Sequence, residues 1–391
     1  MSRVPVAILG ASGLVSQRMQ QRLATHPWFE LVAVAGQSQG TNLADIEWHL
    51  DELRPEVLDS SEIKVLDIND GNLAEELKNR SVIAVFSALP SEPASRIEAN
   101  LVNAGLHVFS NASAYRMHPE VSLVVADVNP EALHAPSGQA LHACATNCTL
   151  IPILHPLSVL SQHYTVTKVV ARSEQALSGA GWKLLHNREL RMQAIDQEIP
   201  GEAEKIVEEI ERILDLNAEW DVQTKRVDER DGHIVHVEVH VENAPTYDMV
   251  ASLLQSKEQP HALPSQSIPG MESIQSEPRR EEHLWNGQSM TPLDPSMDLK
   301  AGMTTTVQLT SVENGVVSFT GLSHNTIRGA AGGVVLLAEL ALGSSFVIGN
   351  NTGPVFLAAR LNVPTLMLMG ADTDALMSAP YGEKARWMQK D

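Results

Sequence analysis

A chain of 391 residues with 43% hydrophobic composition is long enough for two domains, each with its own core. Lys plus Arg number 28 against 48 Asp plus Glu, a formal charge of −20 that argues against a phosphate-neutralising nucleic-acid surface. Two cysteines, Cys144 and Cys148, are too few for a disulfide framework or a four-ligand zinc site, and no His/Cys cluster of metal-binding type occurs.

The chain opens on Val4-Pro-Val-Ala-Ile-Leu9, a branched apolar run without polar alternation, as a strand covered on both faces of a parallel sheet requires. It ends in Gly10-Ala-Ser-Gly13. Helical spacing follows from Leu14 to Ala24, and Glu30-Leu-Val-Ala-Val-Ala35 supplies a second strand, completing one βαβ unit. Further strands are predicted at 63–66, 82–87 and 107–109, with helices at 73–77 and 93–104. This alternation implies an α/β fold with a Rossmann-type, doubly wound parallel sheet. Beyond Cys148 and the helix it is predicted to open, strands at 166–172, 233–242, 303–312 and 316–320 are not matched by a similar number of helices. A second, α+β domain is therefore expected from about residue 147. Residues 256–301, rich in Pro, Ser, Gln and Glu and without periodicity, read as a long surface loop or arm. No apolar run approaches the roughly 20 residues of a membrane span, and Met1-Ser-Arg-Val leads straight into a strand, so a cytoplasmic protein with no membrane partner is expected.

Gly10-x-x-Gly13-x-x-Ser16 sits between strand and helix, where free N–H groups and the helix dipole favour a pyrophosphate, although such turns also occur for geometric reasons alone. After the second strand, Ala35-Gly-Gln-Ser-Gln-Gly40 holds no acid for the ribose hydroxyls, which favours NADP. With no Arg or Lys there either, Ser38, backbone N–H groups or a base from elsewhere must meet the 2′-phosphate. In Asn147-Cys148-Thr149 a cysteine stands at a predicted helix start, which lowers a thiol's pKa and exposes a nucleophile. Read alone, the thiol is equally a small buried hydrophobe. The stretch Gln175-Ala-Leu-Ser-Gly179-Ala-Gly181 ends a strand in a turn suited to close approach of a cofactor. Arg226 offers a fixed cation for a carboxylate, and His233 an imidazole that moves protons near neutrality, though a lone His at a strand edge is by default structural.

Taken together, Gly10-Ala-Ser-Gly-Leu-Val15, Ser110-Asn-Ala-Ser-Ala-Tyr-Arg116-Met, Asn147-Cys148-Thr149, Gln175 to Gly181, Arg226 with His233, and His324-Asn-Thr-Ile-Arg-Gly-Ala-Ala-Gly-Gly333 resemble the aspartate-semialdehyde dehydrogenase family. The resemblance runs in the family's order over residues 3–343 and is nearest to the archaeal and fungal branch. It implies NADP-dependent reductive dephosphorylation of L-aspartyl 4-phosphate to the semialdehyde, in the biosynthesis of lysine, threonine and methionine, by a homodimer or homotetramer. Cys148 is then the nucleophile, His233 the general acid/base, and Gln175 the residue that orients the reacting group. Arg226 matches the partner of the substrate carboxylate, Glu202 that of its ammonium, and Arg116 and Lys205 the phosphate ligands. Asn147 and backbone N–H groups near Cys148 are expected to hold the oxyanions. Gly10, Ser12, Gly13, Leu14, Val15, Ser38, Ser87, Leu89, Ser178, Gly179, Asn325 and Thr326 are the positions implied for NADP. The implied division is 1–146 for NADP, 147–324 for catalysis and oligomer contacts, and 325–343 as a helix returning to the NADP domain.

The tail, 344–391, lies outside that resemblance. Residues 346–382 read strand, helix, strand and resemble the C-terminal nucleotide-sugar segment of bacterial heptosyltransferases, which has Asp where Asn351 stands and His where Phe356 stands. An appendage rather than a transferase is expected. Rival readings of the main chain are malonyl-CoA reductase, for which Glu202 has no ammonium to pair with, N-acetyl-glutamyl-phosphate reductase, and a scaffold protein without catalysis.

Overall fold

The computed structural model describes residues 3–134, 139–255, 263–285, 294–342, 347–350, 365–369 and 385–389. Seven strands, β1 (Val4–Leu9), β2 (Phe29–Gly36), β3 (Leu66–Asp67), β4 (Ala84–Ser87), β5 (His107–Ser110), β6 (Ser122–Leu123) and β7 (His142–Cys144), form an all-parallel sheet in the order β3-β2-β1-β4-β5-β7-β6. The order turns back on either side of β1, as in doubly wound sheets. β1 lacks polar alternation because both its faces are covered. Val6 and Ile8 join one apolar cluster, and Ala7 and Leu9 another on the opposite face. The first cluster also takes Val334, Val335, Leu337 and Ala338 from the helix Gly332–Leu342, so the chain returns to this sheet after building the second domain.

The second sheet is mixed. Its strands β8 (Val166–Gln175), β9 (Glu219–Arg226), β10 (His233–Val241), β11 (Met271–Ile274), β12 (Thr305–Glu313) and β13 (Val316–Ser323) lie in the order β11-β12-β13-β10-β8-β9. One face buries Val169, Val235, Val237, Val307 and Phe319 against the helix Ile151–Ser161 and against Ile206, Ile210 and Ile213 of the helix Glu202–Leu214. Period-2 and period-3.6 apolar patterns thus face each other across one core.

The expected surface loop at 256–301 is corrected where it is described. β11 extends the second sheet by pairing in parallel with β12, and Ser265, Gln266, Ser267, His283 and Ser296 are buried. The polar composition is satisfied by distant partners rather than by solvent: the Ser265 amide donates to Glu339 at 2.8 Å and Arg280 Nε to the Gly232 carbonyl at 2.9 Å. Residues 256–262 and 286–293 lie outside the described residues. In the tail, β14 (Val347–Asn350), β15 (Thr365–Met369) and β16 (Ala385–Gln389) form a separate parallel sheet in that order. The helix expected between β14 and β15 falls outside the described residues. Among the described residues, no helix is long and apolar enough to cross a membrane.

Candidate active site

β8 and β9 run parallel and end in register at Gln175 and Arg226, while β10 runs antiparallel to β8 and starts at His233. Three side chains distant in sequence therefore meet at one end of the second sheet. Cys148 arrives from the first sheet: β7 ends at Cys144, and a turn through Asn147 and Leu150 leads into the helix at Ile151. The half-buried Cys148 Sγ lies 3.2 Å from Nε2 of His233. Gly329 permits this placement, since a Cβ there would stand 2.7 Å from the Cβ of Cys148.

His233 is fully buried, and its Nδ1 accepts the Ala176 N–H at 3.0 Å. A ring nitrogen that accepts carries no proton, so the neutral imidazole holds its proton on Nε2, facing the sulfur. Protonating Nδ1 would set two N–H groups against each other. Burial first, then the charges of Arg226 and Arg280, hold the imidazole well below its usual pKa. The Cys148 thiol is pushed up to about 12 by burial and then by Glu202, against the opposing pull of Arg116 and Arg226. The expectation of a thiol acidified by a helix N-terminus is therefore overturned. The helix starts three residues later, and desolvation beside a carboxylate outweighs the nearby cations. At rest the pair is thiol and neutral imidazole.

Glu202 opens the helix Glu202–Leu214. Its Oε1 accepts from Asn147 Nδ2 at 2.8 Å and from Gln175 Nε2 at 3.4 Å. The Asn147 Oδ1 in turn accepts the Thr149 N–H at 2.8 Å. Asn147 thus orders the nucleophile turn through its oxygen and Glu202 through one of its two amide N–H groups. Arg226 is buried with Nη1 on the Ala176 carbonyl at 2.8 Å, and a Cβ on Gly179 would come within 3.2 Å of it and 3.4 Å of His233 Nε2. Arg116, also buried, donates to Glu209 Oε1 at 2.9 Å and to the Asn111 carbonyl at 2.7 Å. Lys205, expected beside Arg116, is exposed on the helix Glu202–Leu214, three residues after Glu202 and four before Glu209, the partner of Arg116.

The other expected cluster surrounds the first βα turn. Gly10 has φ +102°, its N–H donates to the Ala35 carbonyl at 2.7 Å, and Gly13 precedes the helix Leu14–Leu23 without a side-chain cap. First-turn amides of that helix, at Leu14 and Val15 beside Ser12, are thus open to an anion. Ser87 ends β4 with its hydroxyl buried and unpartnered among the described residues, with half-buried Leu89 following it. Ser38 is half-buried after β2. Free amides, a left-handed glycine and an orphaned hydroxyl fit a dinucleotide. From the second domain, Leu177 packs with Leu14 in one apolar cluster. Ser178 and Asn325 are tied to each other at 2.8 Å, Ser178 to Asp231 at 2.6 Å, and Asn325 to the Gly232 N–H at 2.8 Å. Thr326 is buried beside His324.

Residues 5–135 match the family model described as semialdehyde dehydrogenase, NAD binding domain. Over 363 residues the chain is 31% identical to an aspartate-semialdehyde dehydrogenase of Archaeoglobus fulgidus, covering 87% of this chain and 98% of that one. This chain belongs to the aspartate-semialdehyde dehydrogenase family. A crystal structure of the Candida albicans member, with NADP, superposes with a TM-score of 0.71 at 27% identity, over 87% of this chain and 98% of that one. A malonyl-CoA reductase (NADP) of Metallosphaera sedula is 27% identical over 87% of this chain and 97% of its own length.

Three residues of this family member carry geometry that the sequence reading did not assign. Glu209 accepts the Asn147 N–H at 2.7 Å as well as the Arg116 guanidinium. Its signal was an acid on the apolar stripe of Ile206, Ile210 and Ile213. Gly329 lies in the His324 to Gly333 motif, but its contact with Cys148 is 181 residues away in sequence and has no local trace. Asp231 joins Ser178 to Arg18 of the helix Leu14–Leu23, at 3.9 Å, and so links the nucleotide turn to the loop before His233.

Proposed function

We propose that this family member is an aspartate-semialdehyde dehydrogenase that converts L-aspartyl 4-phosphate to L-aspartate 4-semialdehyde with NADPH through a thioester on Cys148. The observation that carries the reading is the Cys148–His233 contact, enclosed by the carboxylate of Glu202 and the guanidinium groups of Arg226 and Arg116. An aspartyl skeleton has one carboxylate for the Arg226 fork, one ammonium for Glu202 and one acyl phosphate for Arg116.

In the proposed reaction, sulfur bonds to the acyl carbon, the phosphate leaves with the C–O bonding pair and the S–H proton passes to the departing phosphate, so Cys148 becomes a thioester. Arg116 and Arg226 offset the negative charge that develops around the sulfur. When bound, NADPH supplies the hydride that reduces the thioester carbonyl. His233 shares its Nε2 proton with the oxyanion and then with the departing sulfur as the hemithioacetal forms and collapses, and the proton that ends on sulfur is made good from solvent, so the ring stays a neutral imidazole. Gln175 and Asn147 hold Glu202 in place while this occurs. The lack of an acid after β2 supports NADP over NAD, with Gly10, Gly13, Ser38 and Ser87 as its cradle.

The proposal divides the chain into residues 1–146 for the dinucleotide and 147–324 for catalysis, acting in the cytoplasm as a homodimer or homotetramer. The tail from 344 is proposed as an appendage without transferase activity. Purified protein should turn over aspartate semialdehyde with phosphate and NADP. Turnover of malonyl-CoA with NADPH, and none of aspartate semialdehyde, would sink the reading, because Glu202 would then have no ammonium to meet.

A further inference from the structure

We infer that Glu209 is the positioning residue of the phosphate subsite, holding the Arg116 fork and the nucleophile turn at once and weakening phosphate binding through its charge. The inference rests on the assignment of Arg116 to phosphate made above.

Glu209 is buried and both of its oxygens face donors, Oε1 towards Arg116 Nη1 at 2.9 Å and Oε2 towards the Asn147 N–H at 2.7 Å. Burial raises the pKa of this carboxyl, while the Arg116 guanidinium and the Asn147 amide, two donors on two oxygens, favour its ionised form. The amide it grips belongs to the residue before Cys148, so one carboxylate fixes both the turn that presents sulfur and the cation beside it. Arg116 is anchored again on the Asn111 carbonyl at 2.7 Å, and its Nε is buried with no partner among the described residues. That unpartnered donor marks the guanidinium as incompletely satisfied within the protein.

A carboxylate in this position has two effects of opposite sense. By fixing geometry it favours attack at the acyl carbon. By cancelling part of the Arg116 field, and by repelling an incoming dianion, it keeps phosphate from binding too tightly to leave. Charge and reach can be separated by substitution. Glu209→Gln keeps the length and removes the charge, whereas Glu209→Asp keeps the charge and withdraws it by one methylene.

In the direction of semialdehyde oxidation, Glu209→Gln should lower KM for phosphate by about 3- to 10-fold, the size expected for one partly screened charge. KM for aspartate semialdehyde should stay within about twofold, since Arg226 and Glu202 hold that molecule. Glu209→Asp should lower kcat with phosphate KM near that of the wild type. The rise in Tm on adding inorganic phosphate should be larger for Glu209→Gln than for the wild type, and this reads binding even where activity is lost. Unchanged or weakened phosphate binding in Glu209→Gln, or the same tightening in Glu209→Asp, overturns the inference. Arg116→Ala distinguishes the two levels. If it leaves phosphate KM unchanged, the subsite assignment itself fails; if it raises that KM while Glu209→Gln has no effect, only the role of Glu209 fails.

Discussion

His233 faces Cys148 with its protonated Nε2, 3.2 Å from the sulfur, because its other ring nitrogen accepts the Ala176 amide. The ring therefore presents an N–H to the sulfur and the reacting oxygen, and the backbone opposes the doubly protonated imidazolium. His233→Ala should lower kcat by roughly 10²- to 10⁴-fold, the range for loss of a positioned acid/base. Binding of NADP, centred on the loop after β1, should change little. Steady-state turnover and a cofactor titration of the variant check both parts, and an unchanged kcat would remove His233 from the chemistry.

The raised thiol pKa has its own signature in the substrate-free enzyme. Alkylation by iodoacetamide requires the thiolate, so its rate at Cys148 should climb about tenfold per pH unit from pH 7 to 9.5 without a plateau. Cys144, the other cysteine, is fully buried, so Cys148→Ser should abolish labelling of the folded protein. A plateau near neutrality would mean that Arg116 and Arg226 outweigh burial, contrary to the geometry described.

Local signals carried a large part of the fold. β1 was legible because an unbroken apolar run fits only a strand covered twice, and the helix Leu14–Leu23 because its spacing follows a glycine turn. β9 was missed because Trp220 and Val222 are its only apolar residues, on a sheet-edge strand otherwise polar or charged. β11 was missed because its Pro- and Ser-rich surroundings are satisfied by Glu339 and Gly232, partners that no window of sequence contains. The same division holds at the site. Cys148, His233, Arg226 and Glu202 lie in local motifs, and the structure gathers them. The acidity of the thiol was misjudged because a helix-terminus argument sees only neighbours in sequence, whereas burial is set by the whole fold. Glu209 and Arg116, 93 positions apart, pair through tertiary structure alone.

Gly329 gives a sharp steric prediction. Its place is filled on one side by Cys148, whose Cβ and Cα would lie 2.7 and 2.8 Å from an added Cβ. Those neighbours are not the flexible ends of side chains, so Gly329→Ala must move the nucleophile turn. A shift of about 1 Å in a reacting atom costs on the order of 10²-fold in rate. The variant should lose about that much kcat while NADP affinity is retained, as measured by turnover and by cofactor titration. Wild-type kcat in Gly329→Ala would show that the turn adjusts freely.

His324 ties the stability of the fold to pH. It is fully buried, its ring meets Trp285 edge-on at 4.8 Å, and its pKa is lowered to about 3 by burial, with Arg18 and Arg22 adding to the effect and Asp231 opposing it. Between about pH 6.5 and 3 the unfolded chain therefore binds a proton at this residue and the folded protein does not. The contribution is fully present above pH 6.5 and is lost as pH falls, at about 1.4 kcal/mol per pH unit once well inside that window. Asp127 and Asp231, whose pKa values are also lowered, add a loss of the same sign only below about pH 4, while Glu209, whose pKa is raised by burial, acts in the opposite sense above about pH 4.5 in variant and wild type alike, so the difference between the two proteins at pH 5 to 6 isolates His324. His233 acts in the same direction as His324. His324→Gln should flatten the pH dependence of the unfolding free energy by about one proton over that interval, read from urea titrations of both proteins at each pH. Parallel slopes for variant and wild type would mean that His324 takes up its proton in the folded state, and the buried neutral ring beside Asp231 and Arg18 would have to be abandoned.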